Sequence, residues 1–166
     1  MYNVTMIGNH KVGKSSLCSQ WKGYPFQESF CSTFFVEKHQ IENLTIREIP
    51  GLERFHRNIE EYFVQTDVFV LVVNEDSLEN ETYERMRLDY NDASWLLIMN
   101  GAMTFPKCCT WARDRDMFMV RVNLKEDFGI IESFTILQEL TQHHQERTAP
   151  VHLMDGVYQW LPGGCL

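Results

Sequence analysis

The first residues of the chain contain apolar positions with strand-like spacing, followed by apolar positions with helical spacing. Val4 and Met6 alternate with polar neighbours, which predicts a strand over residues 4–7. Residues 15–22 can form one amphipathic helix, and Gly23 supplies a signal for its end. The chain is therefore expected to begin with a strand, a loop and a helix.

A hairpin is predicted next, after a polar loop that contains aromatic residues. Residues 34–41 and 44–49 form its two arms, with the turn at residues 42–43. Pro50-Gly51 ends the second arm, because these two residue types interrupt regular structure. Residues 53–65 then place apolar side chains on one helical face and predict a helix.

The second half of the chain continues the alternation of strands and helices. Its predicted elements are, in order, a strand over 68–73, a helix over 78–90, a strand over 95–99, an irregular segment over 104–116, a strand over 117–122 and a helix with Asp127 as N-cap. The run over 68–73 is continuously apolar, which is typical of a strand covered on both faces. This order predicts a three-layer α/β fold, with a mainly parallel sheet flanked by helices. Ligands of such sheets bind at the carboxyl ends of the strands.

Residues 8–15 read GNHKVGKS, the Gly-x-x-x-x-Gly-Lys-Ser pattern of a P-loop, between the first strand and the first helix. Gly8 and Gly13 let the backbone curl so that successive N–H groups point at phosphate oxygens. Lys14 would reach the outer phosphates, and the Ser15 hydroxyl would ligate the magnesium that bridges them. The motif therefore predicts a P-loop NTPase fold that binds a nucleotide and Mg²⁺.

Composition limits the class of protein further. At 166 residues, with 44% hydrophobic and 23% charged residues, the chain has the make-up of one globular domain. A net charge of −8 argues against a broad nucleic-acid surface, so no nucleic-acid partner is expected. The five cysteines are odd in number and form no C-x-x-C pair, which is typical of reduced thiols and favours a cytoplasmic protein. We assign residues 1–149 to the domain and residues 150–166, which lack periodicity, to a C-terminal tail.

No membrane attachment is expected. The longest apolar run, over residues 68–73, is far too short to span a bilayer. Cys165 lies one residue from the end, but the four-residue prenylation box is absent and no polybasic run precedes it. Because stable anchoring takes two signals, this cysteine alone does not predict an anchor.

Four places make the chain resemble a Ras-superfamily small GTPase. The P-loop is the first, and Thr33 lies at the position of the switch I threonine, with Phe26 where an aromatic residue packs on guanine. Residues 48–55, EIPGLERF, are similar to the switch II segment Asp-x-Ala-Gly-Gln-Glu-Arg-Phe in its Rab-like form. Residues 62–77 are similar to the helix and strand that follow it.

The resemblance implies a site and a function. The implied cofactors are GTP or GDP and Mg²⁺, with Ser15, Thr33 and Glu48 at the metal and Lys14 and Thr33 in catalysis. The implied nucleotide-binding residues are Gly8, Asn9, His10, Lys11, Val12, Gly13, Lys14, Ser15, Ser16, Phe26, Thr33, Gly51 and Asn100. Protein effectors or regulators would bind through residues 30–35 and 51–63, two loops that the terminal phosphate holds in order.

Three departures from the family pattern predict slow hydrolysis and a long-lived triphosphate state. Leu52 occupies the position of the glutamine that orients the attacking water, which an aliphatic side chain cannot do. His10 stands where the Ras branch has glycine, and its ring could obstruct an arginine finger. Glu48 replaces aspartate, so its carboxylate is one methylene further from the backbone.

The base end of the pattern departs more strongly. The Asn-Lys-x-Asp motif is replaced by Asn100-Gly101-Ala102-Met103, and the Ser-Ala-Lys loop matches at best residues 123–125. The missing aspartate would accept two hydrogen bonds from guanine, so the identity of the base stays open. The switch I–switch II hairpin is shortened, and residues 104–116 leave room only for a reduced fourth helix.

Two alternatives remain beside an atypical, slow or GTP-locked switch. The first is a pseudo-GTPase, an interaction scaffold with weak or no nucleotide turnover, which Leu52 and the altered base motif both favour. The second is a small P-loop kinase, which would need clustered arginines over the transferred phosphoryl group. Arg113 and Arg115 are the candidates for that role.

Overall fold

The computed structural model describes residues 1–28, 33–52, 59–74, 77, 81–101, 106–144 and 157–158. The strands are β1 (Tyr2–Ile7), β2 (Glu37–Ile41), β3 (Leu44–Glu48), β4 (Val68–Val73), β5 (Ser94–Asn100), β6 (Phe118–Val122) and β7 (Val157–Tyr158). The helices are α1 (Lys14–Trp21), α2 (Glu60–Phe63), α3 (Glu81–Asp89), α4 (Pro106–Arg113) and α5 (Ile130–His143).

These strands form one sheet in the order β2-β3-β1-β4-β5-β6-β7. β1 lies between β3 and β4 and pairs with both in parallel, so that Val4 is opposite Ile46 on one side and Val68 on the other. The pairs β4–β5 and β5–β6 are also parallel, whereas the edge strands β2 and β7 are antiparallel to their neighbours. The predicted mainly parallel sheet is confirmed.

Both faces of the sheet are covered, which gives the predicted three layers. Val70 and Val72 of β4 belong to the core cluster that contains Leu17 of α1 and Leu137 of α5. Alternate β4 residues point to the opposite face, where the second cluster contains side chains of α2, α3 and α4: Phe63, Tyr83, Cys108 and Ala112. All six β4 residues are buried, because successive strand side chains point to opposite faces and each face carries helices.

A polar contact inside the first cluster joins the two helices of that face. The indole N–H of Trp21, in the last turn of α1, donates to the Ser133 hydroxyl of α5 over 3.0 Å. The Trp21 ring also lies 5.7 Å from the ring of Phe134. Since α1 begins directly after the P-loop, this contact fixes the helix whose N-terminus faces the functional edge of the sheet.

The fourth helix corrects one prediction. Residues 104–116 were expected to be irregular, with room only for a reduced fourth helix, but Pro106–Arg113 form the regular helix α4. Pro106 is the first residue of the helix, where its missing N–H removes no intrahelical bond. Cys108 and Ala112, one turn apart, bury the inner face. α4 has only eight residues, which agrees with the expectation of a reduced fourth helix.

Other boundaries differ by a few residues. β2 begins at Glu37 rather than at residue 34. Gly129, in the left-handed conformation with φ 72°, is the N-cap of α5, so the assignment of Asp127 as the cap was wrong. The Asp127 carboxylate instead accepts a bond from Gln20 of α1 at 3.2 Å.

Several predictions extend beyond the described residues, among them the helix predicted over 78–90, of which residues 78–80 lie outside them. Residues 53–58 of the predicted helix over 53–65 lie outside them, and α2 lies within the remainder. The domain boundary at residue 149 also lies outside, so it stays a prediction, although the tail contributes β7 to the sheet. Across the described part of the chain, no helix combines the length and apolar character needed to cross a bilayer.

Replacing Trp21 tests the contact between α1 and α5. We expect Trp21→Ala to lower the free energy of unfolding by about 3–5 kcal/mol, because it leaves a cavity in the core. Trp21→Phe keeps most of the apolar contact but loses the bond to Ser133, and should cost about 1 kcal/mol from that bond. Urea denaturation measures both values. Ile131→Ala, on the exposed face of α5, is the control and should change little. A loss below about 1 kcal/mol for Trp21→Ala would contradict the packing described.

Candidate functional site

A cavity of about 570 Å³ opens at the carboxyl edge of the sheet. The loops or ends of five parallel strands contribute to it, which is the position expected for a ligand site in this architecture. Of the residues predicted for the site, the following line the cavity: His10, Lys11, Gly13, Lys14, Ser15, Ser16, Phe26, Thr33, Glu48, Gly51 and Asn100. The fold therefore brings most of the predicted site together, and the roles of these residues in binding stay predictions.

The other three predicted residues shape the loop without lining the cavity. Gly8 and Asn9 offer their carbonyl oxygens to Lys14, and Val12 is buried in the core with its carbonyl bonded to Asn100. From behind the loop, the Tyr83 hydroxyl of α3 donates to the side-chain oxygen of Asn9 over 2.6 Å. These contacts hold the loop between β1 and α1 from the side that faces away from the cavity.

Two glycines of the loop are required by its conformation. Gly8 and Gly13 have φ values of 148° and 102°, where side chains are rarely tolerated. A Cβ at Gly8 would overlap the Val72 carbonyl oxygen, and one at Gly13 would overlap the Leu124 side chain. The loop can therefore pack closely against β4 and the segment after β6 only with glycine at both positions.

Lys14 begins α1 and is buried under the loop that precedes it. Its ammonium group donates to the carbonyl oxygens of Gly8 at 2.8 Å and Asn9 at 3.0 Å. Burial lowers the pKa of Lys14 from 10.5 to about 8, and the nearby Glu48 carboxylate opposes that shift. The chain thus holds a desolvated cation at the cavity, where an added anion would lie in a low dielectric.

Three oxygen-bearing side chains meet beside Lys14. The Ser15 hydroxyl donates to Glu48 Oε1 at 2.6 Å, and the Thr33 hydroxyl lies 3.3 Å from both Glu48 Oε1 and Ser15 Oγ. Glu48 ends β3 and is only 1% exposed. Hydroxyl and carboxylate oxygens are the ligands that Mg²⁺ prefers, so this donor set fits the predicted metal. We call Ser15, Thr33 and Glu48 the oxygen corner.

Gly51 brings the predicted switch II segment against the P-loop. A Cβ at this position would overlap the backbone of residues 9 and 10, so only glycine permits the approach. Leu52 follows directly and is partly buried. The remainder of predicted switch II up to residue 58, and residues 30–32 of predicted switch I, lie outside the described residues.

Asn100 connects the P-loop to the far end of the cavity. Its side-chain amide donates to the Val12 carbonyl at 3.0 Å, and its oxygen lies 3.5 Å from the Leu124 N–H. Gln20 of α1 donates to the Leu124 carbonyl at 3.0 Å. Asn100 therefore braces two loops, and Met103, at the position of the missing aspartate, lies outside the described residues.

Sequence reasoning missed several lining residues: Gln27, Glu28, Asn74, Gly101 and Glu126. Asn74 directly follows the fully buried β4, and a polar residue at that place was a usable signal. Glu126 lies just beyond the loop over residues 123–125 that was compared with the family pattern. No sequence spacing marked Gln27 or Glu28, because they lie in a loop without periodicity.

The glycine loop, the buried lysine and the oxygen corner at the carboxyl edge of a parallel sheet are those of the P-loop NTPase fold of the α/β class. A model of the Ras family matches residues 3–100, which is more than half of the chain. The chain therefore belongs to the Ras family and contains a small-GTPase domain. A search of curated proteins found no match.

The lowered pKa of Lys14 predicts a pH effect on stability. Below pH 8 the ammonium is charged in both folded and unfolded states, and the folded state bears the cost of burying it. Between pH 8 and 10.5 the unfolded state binds more protons, so the free energy of unfolding should rise with pH by up to about 3 kcal/mol. Lys14→Met should lack this contribution. Urea denaturation of both proteins from pH 7 to 10.5 measures it, and parallel pH profiles would contradict the burial of a charged lysine.

Proposed function

We propose that this protein is an atypical small GTPase that binds GTP or GDP with Mg²⁺ and hydrolyses GTP slowly. The observation that carries the proposal is the convergence of Ser15, Thr33 and Glu48 beside a lysine held by the P-loop backbone. Membership of the Ras family supports the choice of nucleotide. The cavity of about 570 Å³ lies within the range of roughly 300–1,000 Å³ typical of small-molecule sites.

Each part of the cavity would take one part of the nucleotide. Backbone N–H groups of the loop and Lys14 would hold the phosphates, and Phe26 would contact the base. Ser15 and Thr33 would ligate Mg²⁺ through their hydroxyls, while Glu48 would hold a water bound to it. The metal would supply positive charge that neutralises the phosphate oxygens.

Slow hydrolysis follows from the side chain at position 52. Leu52 directly follows Gly51, which packs against the P-loop backbone, so the backbone of Leu52 lies near the phosphate end of the cavity. An aliphatic side chain has no donor or acceptor with which to orient a water molecule. The chain therefore retains groups that bind phosphate and lacks the group that positions the nucleophile.

We further propose that the protein acts as a switch through its two predicted effector segments, residues 30–35 and 51–63. Thr33 and Gly51 both line the cavity, so the terminal phosphate could bias each segment. The partners would be protein effectors or regulators that bind these two segments. The odd number of cysteines and the lack of a C-x-x-C pair in the sequence support the cytoplasmic location we propose.

A pseudo-GTPase scaffold is the second candidate function. Lys14 bonds to two loop carbonyls and Ser15 to Glu48, so contacts within the protein can hold the loop in its conformation. A kinase receives no such support. Arg115 pairs with Glu84 of α3 and lies over the Trp111 ring, and neither Arg113 nor Arg115 lines the cavity.

Nucleotide titration separates the GTPase from the scaffold. We expect a fluorescent, non-hydrolysable GTP analogue to bind in Mg²⁺ and to bind at least about tenfold more weakly to Lys14→Met, which removes the buried cation. Lys107→Met is the matched control, because Lys107 is exposed on α4 and does not line the cavity. Absence of binding by the wild-type protein, with an unchanged melting temperature, would refute the GTPase and favour the scaffold.

Restoring a glutamine tests the proposed cause of slow hydrolysis. Leu52→Gln should increase the single-turnover rate of GTP hydrolysis by at least about tenfold, because an amide can orient the attacking water. The affinity for the non-hydrolysable analogue should change little. Leu52→Met, a substitution of similar volume without a water-orienting amide, should leave the rate slow. Equal rates in wild type and Leu52→Gln would show that position 52 does not limit hydrolysis.

A further inference from the structure

A chain of polar contacts reaches the oxygen corner from outside the cavity. Lys22, the C-cap residue of α1, places its ammonium nitrogen 2.9 Å from Nδ1 of His39 in β2. The other ring nitrogen of His39, Nε2, lies 3.2 Å from Glu48 Oε2. Lys22 and His39 do not line the cavity, whereas Glu48 does.

The chemistry of lysine sets the direction of these hydrogen bonds. A lysine ammonium only donates, so Nδ1 of His39 must accept and is the unprotonated nitrogen of a neutral ring. The ring hydrogen is then on Nε2, which donates to Glu48 Oε2. Since Ser15 and Thr33 donate to Oε1, each carboxylate oxygen has its own donors from a different part of the fold.

We propose that His39 is a positioning residue. It fixes the orientation of the Glu48 carboxylate toward Ser15 and Thr33 within the oxygen corner. This inference deepens the proposed function and rests on Mg²⁺ binding at the oxygen corner. Glu48 carries one more rotatable bond than the aspartate of the family pattern, so its carboxylate needs an additional contact to keep one orientation. His39 supplies it, and Lys22 keeps the ring in the tautomer that can donate.

The burial of Glu48 makes the His39 contact important. With 1% of the residue exposed, Glu48 has little contact with water that could replace a missing donor at Oε2. A buried carboxylate oxygen without a partner is costly, so removing His39 favours rotation of the carboxylate toward other donors. Such rotation would take Oε1 away from Ser15 and Thr33 and weaken the place where a metal-bound water would be held.

A metal ion bound by the same side chains is the competing interpretation. Ligand atoms of Cys18, His39 and Glu48 lie within 4.8 Å of one another, and thiolate, imidazole and carboxylate together suit Zn²⁺. For Nε2 to ligate, the ring hydrogen would have to move to Nδ1, where it would face the Lys22 ammonium. Burial and the Glu48 charge also raise the pKa of the Cys18 thiol well above its usual value. The hydrogen-bonded arrangement is therefore favoured over a zinc site.

Magnesium dependence in variants of His39 tests the proposal. With the GTP analogue bound, we expect His39→Leu to need roughly tenfold more Mg²⁺ for half-maximal retention of nucleotide, as is usual when a group that orients a metal site is lost. His39→Gln should restore the wild-type requirement, because its amide nitrogen can donate to Glu48. Affinity for the analogue in EDTA should be equal in all three proteins. Gln40→Leu, the neighbouring exposed position of β2, controls for damage to the strand.

A second measurement uses nucleotide-free wild-type protein and so does not depend on the proposed function. Long-range ¹H–¹⁵N spectra of the six histidines should contain a ring signal that is lost in His39→Gln and that shows Nε2 protonated and Nδ1 unprotonated. The opposite tautomer would overturn the proposal, even if nucleotide binds. An unchanged Mg²⁺ requirement in His39→Leu would also overturn it. Absence of nucleotide binding in wild type would refute both this inference and the proposed function.

Binding of Co²⁺ tests the competing metal site. Binding of one equivalent of Co²⁺, with a thiolate charge-transfer band that Cys18→Ser removes, would establish that site instead.

Discussion

The functional site at the carboxyl edge of the sheet is organised around the buried carboxylate of Glu48. A carboxylate almost fully withdrawn from water is stable only if donors surround it. Three donors surround it: Ser15 at the start of α1, Thr33 in the loop before β2 and His39 in β2. The positive charge of Lys14 lies nearby and interacts with the same carboxylate. Any change that moved β3 relative to α1 would break several of these contacts together.

The rest of the fold holds that arrangement in place. β1 and β3 are parallel neighbours, so the P-loop and Glu48 emerge at the same edge of the sheet. α1 is fixed at its other end by the Trp21 contact with α5 and along its side by Gln20, which reaches the loop after β6. The site therefore depends on packing some distance away, because the position of α1 sets the positions of Lys14 and Ser15.

Much of this architecture could be predicted because its signals are local. The P-loop is a continuous motif, and the buried run over residues 68–73 identified the central strand β4. Helix α4 was expected only as a reduced fourth helix, and its bounds were not predicted, although Pro106 fits the first turn of a helix. Asp127 was misassigned because glycine in a left-handed conformation, rather than a side-chain cap, begins α5.

The contacts between distant parts of the chain could not be predicted from local patterns. His39 reaches Glu48 only because of the antiparallel register of β2 and β3, and Lys22 reaches His39 only because α1 ends beside β2. No spacing in the sequence predicts these side-chain contacts. The bracing role of Asn100 was likewise hidden, because the residue was considered only as part of a base-recognition motif.

A crystal structure grown with Mg²⁺ and a non-hydrolysable GTP analogue tests the central claim most directly. The account predicts phosphates in the P-loop cavity and a metal ion bound by the hydroxyls of Ser15 and Thr33, with Glu48 contacting a metal-bound water and His39 still bonded to its Oε2. An empty cavity at saturating analogue, with Ser15 and Thr33 still donating to Glu48, would contradict it.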